Sequence, residues 1–161
     1  MNPDSIYAQI TAKLKEMLST ITKSNGYEYD IDIVEEERNY FEMNNRWNFL
    51  LICHEEPVEV SHLYIRELTY TIWFFSNHDD ELTGNAAADL NSEIAYYNRN
   101  ILADVAKCLN TDIYLGGLAQ NIEVFPGTNG EYVKNDAALF GTYCDVRVVT
   151  DIDVHDQYAM R

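Results

Sequence analysis

The strongest constraint on what this chain can fold into is the order in which its hydrophobic period changes. From Ile6 to Ile21 the residues Ile6, Ile10, Leu14, Met17, Leu18 and Ile21 recur at steps of three and four, the spacing that gathers side chains on one face of a helix. From Tyr27 to Val34 the period falls to two. Tyr27, Tyr29, Ile31 and Ile33 alternate with Glu28, Asp30 and Asp32, which predicts a half-buried strand with one apolar and one acidic face. Trp47 to Cys53 and Leu63 to Phe75 turn apolar on both faces toward their ends and predict central strands. Leu90, Ile94, Tyr97, Ile101, Val105, Cys108 and Leu109 return to helical spacing, in a helix that starts near Asn85. A short strand over Ile122 to Phe125 follows, then a last one over Leu139 to Thr150 with Phe140, Cys144, Val146 and Val148 on one face.

Breakers fall between these stretches. Asn2 can cap the first helix, Pro3 suits its first turn, and Asn25-Gly26 supplies a stop. Ser76 to Gly84 is turn-forming, Gly116-Gly117 ends the second helical pattern, and Pro126-Gly127 and Asn129-Gly130 mark turns. The order helix, three strands, helix, two strands predicts an α+β fold, two helices packed on one face of a mainly antiparallel sheet of about five strands. Residues 1–150 read as a single domain and residues 151–161 as an acidic C-terminal tail or arm.

A chain of 161 residues is long enough to bury a core without disulfides or metal. Its formal net charge of −16 opposes independent binding to DNA or RNA, whose phosphates must be neutralised by Lys and Arg. The acidity is not that of a disordered tail, because 47% of the residues are hydrophobic and 12 are Tyr. Cys53, Cys108 and Cys144 are odd in number, far apart and set in apolar stretches, so they read as reduced core thiols. The amino terminus lacks a basic and apolar leader, and the longest strictly apolar run, Phe49 to Cys53, is far short of a membrane span. These features predict a soluble, unsecreted protein.

The titratable groups suggest little chemistry. On a strand, Glu28, Asp30 and Asp32 would stand in a row at roughly 6 to 7 Å spacing, a set of oxygens for Ca²⁺ or Mg²⁺ or, more simply, a hydrated sheet face. Asp151, Asp153 and His155 alternate in the same way and offer two oxygens and an imidazole, but in a polar chain end. His54 and His62 flank Pro57 and would meet across a hairpin, without the further ligands that zinc requires. No nucleophile elbow, phosphate loop or zinc-protease motif is present. The expectation is a protein without cofactor, metal or catalytic residues. The aromatic surplus, including Trp47 and Trp73, fits an oligomer interface as well as it fits packing on strands.

Several of these features together resemble the phage tail-terminator family, also called tail-completion proteins. They are the first helix Ile6 to Ile21, the Gly26-Tyr27 entry to a strand, a polar connection, and a second helix leading into Thr111-Asp112-Ile113-Tyr114-Leu115-Gly116-Gly117. A strand like Asn121 to Phe125 and a closing strand like Tyr143 to Val149 complete the pattern, which spans most of the chain. The chain departs from it in its acidic surface and extended acidic carboxyl end. The resemblance implies a small α+β subunit of a hexameric ring that caps the head-proximal end of the tail tube and stops its polymerisation. Its partners would be further copies of itself, the tail tube protein, a neck or connector protein and, in a contractile tail, the sheath. Genomic DNA would pass through without specific binding, past Glu28, Asp30 and Asp32 if these acids line the lumen. The polar stretch from Glu35 to Arg46, with Glu35, Glu36, Glu37, Arg38, Tyr40 and Phe41, is the expected partner contact. Rival readings are another head-tail connector, an acidic DNA-mimic inhibitor of a nucleic-acid enzyme, and a small metal-dependent hydrolase using Asp151, Asp153 and His155.

Overall fold

The structure of the protein, a computed structural model, describes residues 5–31, 33–36, 49–54, 58–61, 65–75, 100–134 and 137–151. The first helix, α1, spans Ile6–Leu18. Ser5 caps it, its side chain accepting a hydrogen bond from the Ala8 N–H at 3.3 Å; Asn2 lies outside the described residues. All six of the periodic residues Ile6, Ile10, Leu14, Met17, Leu18 and Ile21 are buried, although the helix ends at Leu18, three residues before Ile21. The Asn25-Gly26 pair does not stop α1. It closes the short 3-10 turn Lys23–Asn25, with Gly26 in the left-handed region at φ 84°. The second helix, α2, is described over residues 100–109 and buries Ile101, Val105, Cys108 and Leu109.

The strands are β1 (Ile33–Glu36), β2 (Phe49–His54), β3 (Val58–Ser61), β4 (Ile65–Phe75), β5 (Asn121–Lys134) and β6 (Ala137–Asp151). They form one sheet in the order β1-β2-β4-β6-β5, with β3 paired to β4 beside that path. Among the described strands every pairing is antiparallel except β1 with β2. The protein is therefore α+β. Both helices share one core with alternate residues of the sheet: Val34, Leu50, Ile52, Leu68, Tyr70, Ile72, Phe74, Ile122, Cys144, Val146 and Val148.

Three strand expectations change. Tyr27 to Ile31 is not a strand, although Tyr29 and Ile31 are buried as their alternation required. The Ile31 N–H bonds to the Ile21 carbonyl at 2.9 Å, and the Glu28 and Tyr29 N–H groups bond to Oδ2 of Asp104 on α2 at 2.8 and 3.0 Å. Donors satisfied by the helical layer are not offered to a neighbouring strand, so ladder pairing begins only at Ile33. Next, β2 and β3 do not form a hairpin around Pro57. His54 pairs with Tyr70 and Val58 with Glu67, so the two strands follow one another along the same edge of β4; Pro57 and His62 lie outside the described residues. Finally, Pro126-Gly127 and Asn129-Gly130 lie inside β5. The ladder shifts register between Pro126 and Asn129, a bulge, and continues to the pair Lys134↔Ala137.

Two glycines sit where other chain passes closely. A Cβ on Gly141 would lie 2.6 Å from the Phe74 carbonyl oxygen and 2.9 Å from the Phe75 ring, and one on Gly127 would strike the Tyr143 backbone and ring. Gly141→Ala is expected to cost about 1–3 kcal/mol, because a backbone atom must move. A thermal unfolding midpoint equal to wild type would refute the close approach.

Candidate assembly surface

The period of two in β4 and β6 that aims Leu68, Tyr70, Ile72 and Phe74 at the helices aims Glu67, Thr69, Thr71 and Trp73 the other way, onto the face opposite both described helices. The register places them beside Tyr143, Asp145, Arg147 and Val149. Arg147 joins three strands, with Nη2 2.5 Å from Glu67 Oε2 on β4 and Nη1 3.2 Å from Glu123 Oε2 on β5. The hydrogen bond to Glu67, and then the negative charge of both carboxylates, push the guanidinium pKa up. Two residue pairs along, on the same face, Thr71 Oγ1 donates to Asp145 Oδ1 at 2.8 Å. Beyond it the strip turns aromatic: the Trp73 ring lies 4.8 Å from Tyr143 and stacks on Phe75 at 6.0 Å with an interplanar angle of 8°. Phe125 on β5, opposite Asp145, is 47% exposed.

A second exposed aromatic, Tyr114, stands 58% exposed on the loop after α2. Leu115, Gly116 and Gly117 follow one another at φ 49°, 67° and 95°. The Asp112 carboxylate holds this run by accepting the Tyr114 N–H at 3.2 Å and the Gly116 N–H at 2.7 Å, while Leu115 is fully buried beneath it. The Gly116-Gly117 pair is thus a tight turn, as its sequence suggests.

The residues singled out from sequence are scattered. Glu35 and Glu36 belong to β1, paired with Leu51 and Ile52, and not to a polar connection; Glu35 lies 3.9 Å from Lys15 of α1. Glu37, Arg38, Tyr40 and Phe41 lie outside the described residues, as does Asp32. Glu28 and Asp30 are exposed but form no row on a sheet face, because their segment bends; Asp30 Oδ1 accepts the Lys23 N–H at 2.8 Å. Asp151 ends β6 and accepts a hydrogen bond from Gln120 at 2.6 Å, while Asp153 and His155 lie outside the described residues. Among the described residues no three His, Cys, Asp or Glu side chains gather in a way that would hold a metal.

None of the three cysteines is in a disulfide; Cys53 is half-buried, and Cys108 and Cys144 are buried. Burial pushes both upward in pKa, Cys144 to about 12, opposite to what a nucleophilic or metal-binding thiolate needs. Sequence reasoning passed over Arg147, Glu67, Glu123 and Phe125. The available signal was Arg147 itself, a lone cation in an apolar alternation, but its two carboxylates come from strands 80 and 24 residues away. No described helix is long and apolar enough to cross a membrane. The chain matches no protein-family model and no curated protein.

Proposed function

We propose that the protein is a structural subunit of a phage tail, a terminator that forms a ring, hexameric in the family it resembles, on the head-proximal end of the tail tube. In that position it stops tube polymerisation and joins tail to neck, with no catalytic role. The observation that carries the reading is the sheet face opposite the helices, where Phe125 stands 47% exposed on a strand at the end of the sheet, on the same face as the half-buried Trp73 and Tyr143 rings. Exposed aromatic side chains beside paired charges such as Arg147 with Glu67 and Glu123 recur at protein interfaces. The net charge of −16 suits a ring through which DNA slides without adhering, and also suits basic surfaces on tube or neck partners. The acidic-inhibitor reading calls for carboxylates in phosphate-like rows, and among the described residues Glu28 and Asp30 do not make one.

The test is the particle mass by light scattering across concentration, with negative-stain images and a co-sedimentation assay on purified tail tubes. The expected result is an annular particle of six subunit masses, or rings assembled at tube ends. A single-subunit mass at every concentration together with no binding to tubes would overturn the proposal, and would direct work to nuclease inhibition.

A further inference from the structure

The loop between α1 and β1 is tied to itself more than to the core. Its neck is the bond from the Ile31 N–H to the Ile21 carbonyl at 2.9 Å, which brings its two ends together as in a compact Ω-loop. Inside the neck the Asn25 and Tyr27 N–H groups bond to the Thr22 carbonyl at 3.0 and 3.2 Å, the Gly26 N–H to the Lys23 carbonyl at 3.0 Å, and the Lys23 N–H to Asp30 Oδ1 at 2.8 Å. Of residues 22–30 only Tyr29 is buried. Apolar burial therefore fastens the loop at one side chain, and charged groups of α2 supply the remaining hold. Asp104 Oδ2 accepts the Glu28 and Tyr29 N–H groups. Lys107, one helical turn along, donates Nζ to the Gly26 carbonyl at 2.5 Å and lies 4.8 Å from the centre of the Tyr27 ring.

Beneath the loop lies Cys108, 1% exposed, its thiol donating to the Met17 carbonyl at 3.0 Å and 3.7 Å from Thr20 Oγ1. The Tyr27 hydroxyl is its neighbour from the loop, raised in pKa by burial and then by that thiol. Thr20 is exposed and Tyr27 half-buried, so the groups that shut Cys108 off from water are themselves at the surface. Cys144, equally hidden at 1%, belongs instead to β6, between β4 and β5 in the sheet.

From this arrangement we propose that residues 22–30 are a strap that lifts off α2 as one body while the sheet stays folded, hinged at Ile21 and Ile31, held shut by Asp104 and Lys107, and covering Cys108. Lifting breaks few bonds. Water takes up the Glu28 and Tyr29 donors, Asp104 and Lys107 regain hydration, and the bonds within the loop survive. Reaching Cys144 requires the strands to part and exposes the whole core. Strap opening is a property of the single chain and stands apart from the ring.

Thiol labelling of the native protein with a maleimide or disulfide reagent tests this, each cysteine being followed by peptide mass and its rate divided by its rate in the denatured chain. The reagent is kept dilute, so that labelling reports the population of the open state. Cys108 is expected to label at least about tenfold faster than Cys144. Its rate should stay nearly flat in low urea, where that of Cys144 climbs steeply, because a lifted strap exposes little surface. Ile72→Val, at a residue 1% exposed in the sheet core, should quicken Cys144 by about two- to tenfold and leave Cys108 at its wild-type rate. Lys107→Met keeps the aliphatic stem, removes the ammonium and should quicken Cys108 about fivefold. Equal rates for the two thiols, or an equal response of both to Ile72→Val, would show that Cys108 is reached only by global unfolding and would overturn the strap. A Cys108 rate unchanged in Lys107→Met would overturn the latch assigned to Lys107.

Discussion

Between pH 9 and pH 12 the protein is expected to lose most of its folding stability through two buried groups. Burial raises Cys144 from its ordinary 9.0 to about 12 and Tyr70 from its ordinary 10.0 to about 12, the Thr11 hydroxyl partly offsetting the latter. In the folded state both keep their protons, while the unfolded chain releases them once pH passes 9 and then 10. The unfolded state is thus favoured progressively as pH rises, and the contribution is intact below pH 9 and gone by about pH 12. At 1.36 kcal/mol per pKa unit the losses are on the order of 4 kcal/mol for Cys144 and 3 for Tyr70. Domains of this size commonly hold about 5–15 kcal/mol, so unfolding before pH 12 is the expected outcome. Cys108, also raised by burial, pushes in the same direction. Urea unfolding at stepped pH values checks this, with Cys144→Val as the control that removes most of the fall between pH 9 and pH 10. A Cys144→Val profile parallel to wild type across that range would show that the thiol is not the cause.

Asp104→Ala is expected to cost about 3 kcal/mol or more, and Asp104→Asn far less. Asp104 is 4% exposed and a single oxygen, Oδ2, accepts the N–H groups of both Glu28 and Tyr29. Hydrogen bonds to a charged acceptor contribute roughly 1.5–3 kcal/mol each, and the alanine variant leaves two donors without their acceptor. An asparagine can set its carbonyl oxygen where Oδ2 stood and keep both bonds. The measurement is chemical denaturation of both variants, and equal losses would show that the charge rather than the oxygen's position matters. Hydrogen exchange at the Glu28 and Tyr29 amides should rise in Asp104→Ala, because this carboxylate fastens the segment leading into β1 to α2.

The burial of Cys144 follows from its place in the alternation Cys144, Val146, Val148, and the face of α1 follows from steps of three and four. The role of Asp104 does not follow, since its partners lie 75 and 76 residues away and its own position in α2 is only one more polar residue at helical spacing. The same non-locality hid the Arg147 face of the sheet. Glu35 and Glu36 were visible as acids but not as members of β1, and the Arg147 triad exists only through the register of β4, β5 and β6.

The sequence by itself determined the helical faces, the central strands β2 and β4, and the α+β class, because hydrophobic periodicity is a local property that burial enforces at each step. Tertiary structure alone decided between alternatives that share one local pattern. Tyr27 to Ile31 alternates like a strand yet gives its N–H groups to Ile21 and Asp104, and Pro126 to Gly130 reads as turns yet forms a bulge because β6 continues beside it. In both cases the outcome rests on which distant group satisfies the backbone, and that is fixed only when the layers meet.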